Sequence, residues 1–518
     1  MPRTLRVSAL AGILVLCLQA CASWRPLPPS PIQSMDCDSL FDEMDRRVDE
    51  YGVADATAAR ISGFPELRVD RFLASFANEG VAGEAYAAWL ERLRKLDETA
   101  RLIEWRNLPA EATASPLDAF GSNVETVVNV CGHILAEQEL MYPHRRGQLL
   151  SAIEPPDAYS TWQRFFGLYF LSRWVIVDGV WRVQREMREP FLNPDQNRSG
   201  TGRLIRYAPP APDALSSAEV AKVLEQSALN PLSIPEPSDD QFARLFSTFA
   251  PIWAVDTADD NDRIGSADID DEDGKSYINT QKPVVYRLPS YTRLGGQVLL
   301  QLNYLVWFPA RPSVSWMDIY AGRFDGLIWR VTLGMDGKPL AYDSIHPCGC
   351  YYMVFPGEGA RFVQPQDGSE PILSPMPILG PKPGERLVIQ VASGNHFIRG
   401  IGSEEQAAVS DIYGWLAYDQ LRSLPMPNGR HRSLFDTDGL VPGSERPERF
   451  LFWPMGVPSA GAMRQWGSHA IAFLGKRHFD DPWLLEKFIQ PRREALGENT
   501  LQAVPADDGD NPLKLDAK

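Results

Sequence analysis

The 518-residue sequence lacks most of the short motifs from which an enzyme's chemistry can be read directly. It has no G-x-S-x-G elbow, no H-E-x-x-H pair, no P-loop, no G-x-G-x-x-G after a strand, and no C-x-x-C or C-x-x-C-H. Their absence removes the readily legible hydrolase, zincin, nucleotide-binding and haem readings. Cysteine is scarce, six in the whole chain, too few for a disulfide scaffold of this length. Positive charge is in deficit, with a net charge of −16, which argues against nucleic acid as a partner. No repeat period emerges. What is present is a globular composition, 44% hydrophobic and 23% charged, able to bury a sizeable core. The length predicts two or three domains, and 39 Gly with 43 Pro predict many turns and long connections.

The amino terminus carries the clearest signal. Arg3 and Arg6 precede Val7–Leu18, an apolar stretch broken only by Ser8 and Gly12. As a helix it would span about 18 Å, short of the ~30 Å bilayer core but suited to a signal peptide over residues 1–20. Leu18-Gln19-Ala20-Cys21 resembles a bacterial lipobox. The resemblance implies cleavage before Cys21, acylation of that residue, and a membrane partner held through the acyl chains. Ala22 stands where lipoproteins of this type kept in the inner membrane often have Asp. The same resemblance therefore points to the inner leaflet of the outer membrane, facing the periplasm. Residues 21–35, with Pro26, Pro28, Pro29 and Pro31, read as a stiff tether. The nearest other membrane-like segment, Phe165–Trp181, contains Arg173 and Asp178 and is expected to be a core helix.

The predicted fold class is α+β: an all-α domain followed by a larger, mainly-β one, sandwich-like or a helix-covered antiparallel sheet. Residues 36–190 show helical spacing, as in Leu40, Phe41, Met44 and Val48, or Trp162, Phe165, Phe166, Tyr169 and Phe170. Core packing is expected for every aromatic there. Residues 191–250 read as a Pro-rich connector with helices at Ser217–Ser227 and Asp239–Phe249. From 251 to 490 the period changes to two. Strands are expected at Pro283–Leu288, Gln297–Phe308, Met317–Ala321, Leu327–Leu333, Leu340–Ile345, Gly349–Phe355 and Arg386–Ala392. Asp325-Gly326 and Asp336-Gly337 read as hairpin turns. Apolar residues on both faces of Gln297–Phe308 predict a strand buried on both sides. Helices are expected around Asp411–Leu421 and Pro482–Ile489, and residues 491–518 form a polar, frayed tail.

His346-Pro347-Cys348-Gly349-Cys350 is the sharpest local constellation. On an extended strand His346, Cys348 and Cys350 would share a face. They could bind Zn²⁺ or Cu⁺ with a fourth ligand from His396, His469 or His478. They could equally form a Cys348–Cys350 disulfide or buried structural thiols, or supply a redox-active or nucleophilic cysteine. Cys37 and Cys131 either pair, as an oxidising compartment would favour, or stay separately buried. His478 and Asp480 have the spacing of an iron site, against the simpler reading of polar residues closing a buried strand. Arg464, Lys476 and Arg477 could bind an anion or form a solvated face. Asp256–Asp273 holds eight Asp and one Glu against one Arg. Asp259, Asp260, Asp262, Asp268 and Asp270 there could share Ca²⁺, or sit in a solvated loop; no EF-hand register fits. The sequence thus predicts a lipid-anchored envelope protein with a binding or assembly role and an envelope protein as possible partner. The alternative is a periplasmic metal- or thiol-dependent enzyme built on His346, Cys348 and Cys350.

Overall fold

The computed structural model describes residues 36–113, 123–193, 202–210, 214–270, 274–366, 368–382, 384–405 and 410–496. The signal peptide, Cys21, the tether and the end of the tail lie outside these residues. The architecture is α+β, with helices gathered before a larger, mainly-β region.

Helix α1 (Cys37–Tyr51) is capped by the Asp36 side chain at one end and by Gly52 in the left-handed region at the other. A hairpin of β1 (Ala59–Ile61) and β2 (Phe64–Val69) interrupts the expected all-α region. Its strands are too short to show a period of two, and Gly63 takes the positive φ of their turn. Then come α2 (Arg71–Ala77), α3 (Glu84–Asn107), α4 (Val124–Met141), α5 (Pro143–Ala152), α6 (Thr161–Phe166) and α7 (Tyr169–Leu192). A disulfide between Cys37 and Cys131 ties α1 to α4. Phe165–Trp181 is broken at Gly167-Leu168, where Leu168 adopts φ 50°. Most of its large apolar side chains are not core: Phe165 is 74% exposed and Trp174 66%, with Phe166, Phe170, Leu171 and the preceding Trp162 also bare, while Tyr169 packs partly against the core. Only the opposite stripe of α7 is buried, through Ile176, Val180 and Met187.

The expected connector belongs to the β core, because β3 (Arg203–Ala208) pairs along β4 (Ile252–Thr257). Helices α8 (Ser217–Ser227) and α9 (Asp239–Phe249) have the predicted bounds, each opened by a capping box, Ser216 with Glu219 and Ser238 with Gln241. A two-stranded ribbon, β5 (Ser266–Ile269) with β6 (Ser276–Asn279), precedes the main sheet. That sheet orders β11-β10-β9-β8-β7-β16, from β7 (Val284–Leu294), β8 (Gln297–Arg311), β9 (Gly322–Leu333), β10 (Pro339–Ile345), β11 (Met353–Pro356) and β16 (Gly414–Ala417). Short β12 (Ala360–Phe362) pairs with Ile489–Pro491 outside both sheets, and a second sheet orders β14-β13-β4-β3-β15, adding β13 (Glu385–Val391), β14 (Ile398–Glu405) and β15 (Asp411–Ile412). Both sheets are mixed, since β16 joins β7, β15 joins β3 and β13 joins β4 in parallel.

Strand β8 is buried on both faces, as its composition requires. Leu300, Leu302, Tyr304 and Val306 pack with the second sheet and with α8 and α9. Leu299, Leu305 and Trp307 face the opposite core, closed by Tyr418, Leu421, Phe479 and Leu485 from the C-terminal coils.

Other elements depart from expectation for local reasons. Met317–Ala321 is a turn, organised by Asp318 accepting from the Val314 and Tyr320 amides. Asp325-Gly326 lies inside β9, opposite Phe308 and Trp307, whereas Asp336-Gly337 does turn the chain. Of Gly349–Phe355 only the last three residues are strand, within β11. The Asp411–Leu421 segment is captured by the edges of both sheets and ends in a 3₁₀ turn, Tyr418–Arg422. Pro482–Ile489 keeps one 3₁₀ turn, Leu485–Lys487. The tail starts later than expected, since Ala495 and Leu496 are buried.

Candidate functional site

A cavity of about 390 Å³ lies between the buried stripe of α7 and the β core, in the size range of small-molecule sites. Ile176, Val180 and Met187 of α7 form one wall, Leu451 and Phe452 a second, Ile471 and Phe473 a third. Its polar lining includes Cys350, Tyr320, Tyr352, Glu370, Glu448 and Arg477. Gly179 also faces it, and a Cβ there would meet nothing within 4 Å. Arg477 and Glu370 are committed to the wall: the guanidinium bonds Ser369 and the Glu370 carbonyl, and the Glu370 carboxylate accepts from the Phe473 and Leu474 amides. Glu448 is not so committed. It is 2% exposed, and its Oε1 has no hydrogen-bond partner among the described residues. Burial pushes its carboxyl up to about 7 against the pull of Arg446 and Arg311, so the proton is readily shared near neutrality.

The His346–Cys350 segment is a tight turn rather than a strand, closed by hydrogen bonds from the Gly349 amide to the His346 carbonyl and from the His346 amide to the Cys350 carbonyl. Gly349 is obligatory there: its φ is 86°, and a Cβ would sit 2.4 Å from the Ala470 carbonyl oxygen. The turn folds the two sulfurs together, with the Cys350 amide 3.4 Å from Cys348 Sγ. Both cysteines are free thiols. The hydrogen bond that the Cys350 thiol donates to Cys348, followed by burial, raises the Cys350 thiol well above its ordinary value. It is therefore protonated and a weak nucleophile.

Behind the turn runs a buried chain of four side chains. His346 Nδ1 is 3.0 Å from Asp325 Oδ1, and His396 Nδ1 is 2.9 Å from Asp325 Oδ2. His396 Nε2 lies 3.3 Å from Asp262. None of the four is more than 2% exposed. Burial opposes a carboxylate at Asp325, yet His346 and Arg446 hold it well below the usual range. Burial likewise opposes charge on His396, but its bonds to Asp262 and Asp325 prevail and raise its pKa. On His346 burial prevails and lowers it. The result is a charge-balanced clamp that fixes the start of the Cys turn, with no access for a substrate.

Among the described residues no three His, Cys, Asp or Glu side chains are gathered as a metal site. His346 and His396 converge, but on Asp325. His469 is buried beside Trp466 and Phe479, and burial with Arg464 nearby pushes it down to about 3. His478 pairs with Asp157 at 3.0 Å, and Asp480 with Arg71. Arg464 is buried and bonds the Ser459 carbonyl, while Lys476 pairs with Asp157, so with Arg477 they form no anion site. The acidic loop is also dispersed. Asp259 caps a 3₁₀ turn, Asp260 pairs with Arg263, Asp268 accepts from the Ile269 amide, and the Asp270 carbonyl accepts from the Gly274 amide. Asp262 alone acquires a site role, taking hydrogen bonds from Ser393 and the Gly394 and Ala258 amides.

No protein family, curated protein or solved structure matches this chain. The site must therefore be read from its own geometry. Sequence reasoning missed Asp325, whose Asp-Gly dipeptide signals a turn. It also missed Glu448, a single carboxylate with no local pattern around it.

Proposed function

We propose that the chain is a lipid-anchored protein of the bacterial cell envelope that acts by binding, and that the cavity beneath α7 takes a small, mostly apolar molecule with one hydrogen-bonding group. One observation carries this reading: the cavity is walled by apolar side chains yet lined by Glu448, whose buried carboxyl is pushed up to about 7 and so offers a proton near neutrality. A neutral carboxyl in an apolar wall can meet one hydrogen-bonding group on an otherwise apolar molecule. The protonated state of Cys350 favours binding over the thiol-dependent enzyme. The lipobox resemblance at Leu18–Cys21 supports the anchor and the periplasm-facing location.

The test of the cavity is titration of the full chain with dansyl-undecanoic acid. Gly179→Phe adds a ring where open space exists and also improves helix propensity. It is expected to weaken binding by about tenfold or more. Unchanged affinity in this variant would overturn the cavity as the site. For the anchor, Cys21→Ser is expected to abolish acyl labelling; persistent labelling would refute it.

A further inference from the structure

Among the described residues, α6 and α7 present a bare apolar face to solvent. Trp162, Phe165 and Phe166 on α6 and Phe170, Leu171 and Trp174 on α7 are all exposed, and Leu168 holds a left-handed conformation at the bend between them. Nearby, Phe450 and Leu451 are bare. The loop carrying Trp316, 92% exposed, packs beside them through the Glu448 amide to Ile319 carbonyl bond. A soluble surface rarely leaves so many large rings together. The second half of α7 exposes Arg182, Arg185 and Arg188, and with Arg173 the helix exposes four arginines against Asp178, Glu186 and Glu189. With Arg182 paired to Asp178, that leaves the helix surface with one positive charge in excess in a chain of net charge −16. Rings clustered at one end and arginines along the other match the layering of a bilayer interface. Among the described residues no helix is long and apolar enough to cross a membrane.

We infer that α6 and α7, with the Trp316 loop, lie on an anionic lipid surface, rings in the acyl–headgroup boundary and arginines among the headgroups. The contact is separate from any acyl chain at Cys21. The tether adds reach and rests on the lipobox reading: Asp36 lies fifteen residue steps beyond Cys21, about 50 Å when extended. With the face seated, the cavity lies directly beneath the lipid-contacting helix.

The full chain on vesicles of phosphatidylethanolamine and phosphatidylglycerol, with brominated acyl chains, gives a direct readout. The part of the tryptophan emission lost in Trp162→Phe/Trp174→Phe is expected to be quenched by bromine. Equal quenching in parent and variant would mean these rings do not reach the lipid. This signal is read at the rings, so it survives failure of the Cys21 assignment, tested separately by acyl labelling. Phe165→Ser/Phe166→Ser is expected to weaken vesicle binding of Cys21→Ser chain on the order of a hundredfold, with near-ultraviolet circular dichroism unchanged. Sedimentation without lipid closes the alternative: a parent dimer that this variant converts to monomer would make the face a protein interface and overturn the inference.

Discussion

Asp325 takes two imidazoles on its two oxygens and lies 3.6 Å from Arg446, all without exposure to water. Removing its charge should leave Arg446 and His396 uncompensated. Asp325→Asn is expected to cost about 3–5 kcal/mol in urea unfolding, and a loss under about 1 kcal/mol would contradict the clamp. Because the folded carboxyl is held low, this contribution is complete above about pH 4 and fades only in stronger acid. Glu66 has the opposite sign. Burial first, then Glu139, pushes it up to about 8, so the folded state favours its protonated form. Its stability contribution is complete below about pH 4 and is lost as pH rises through 8. Glu66→Gln should gain on the parent by roughly 4 kcal/mol between pH 5 and pH 9, read from unfolding midpoints; a constant difference would contradict the shift. The sequence marked His346 and His396 as chemically important, but what unites them was hidden. An Asp-Gly pair favours a turn in isolation, and only the neighbouring strand reverses that. Gly326 is needed because a Cβ would meet the Val306 carbonyl at 2.4 Å.

At the scale of elements, periodicity served best where a segment meets one partner on one face. Helices α1, α8 and α9 and the doubly buried β8 are of this kind, and their stripes are visible in sequence. It misled where the partner is absent or supplied by a sheet edge. The rings of α6 and α7 have core spacing but face outward, and Asp411–Leu421 gave up helical spacing to pair with β3 and β7. The Cys37–Cys131 disulfide joins α1 to α4 across 94 residues. Its loss in Cys37→Ser/Cys131→Ser is expected to cost about 2–4 kcal/mol, seen as a lower unfolding midpoint. Insensitivity of the parent chain to reductant would contradict that role.

For the whole molecule, the division into a helical and a β part is legible in composition, but their union is not. Arg422 grips Asp55 through two nitrogens, 2.8 and 2.9 Å, and the Asp55 amide donates to Glu104, which in turn holds Arg68. Tyr159 accepts from the Ala472 and Arg477 amides on the far side of the cavity walls. The Arg422 and Tyr159 contacts join residues more than 300 positions apart, beyond any local pattern. They also set α7 against the β core and so create the space that the account assigns to a ligand. Native mass spectrometry of the chain purified from envelopes tests that assignment most directly. The parent should carry a reproducible small-molecule adduct that Gly179→Phe lacks, while both fold alike. Adduct-free parent protein, or the same adduct on both, would contradict it.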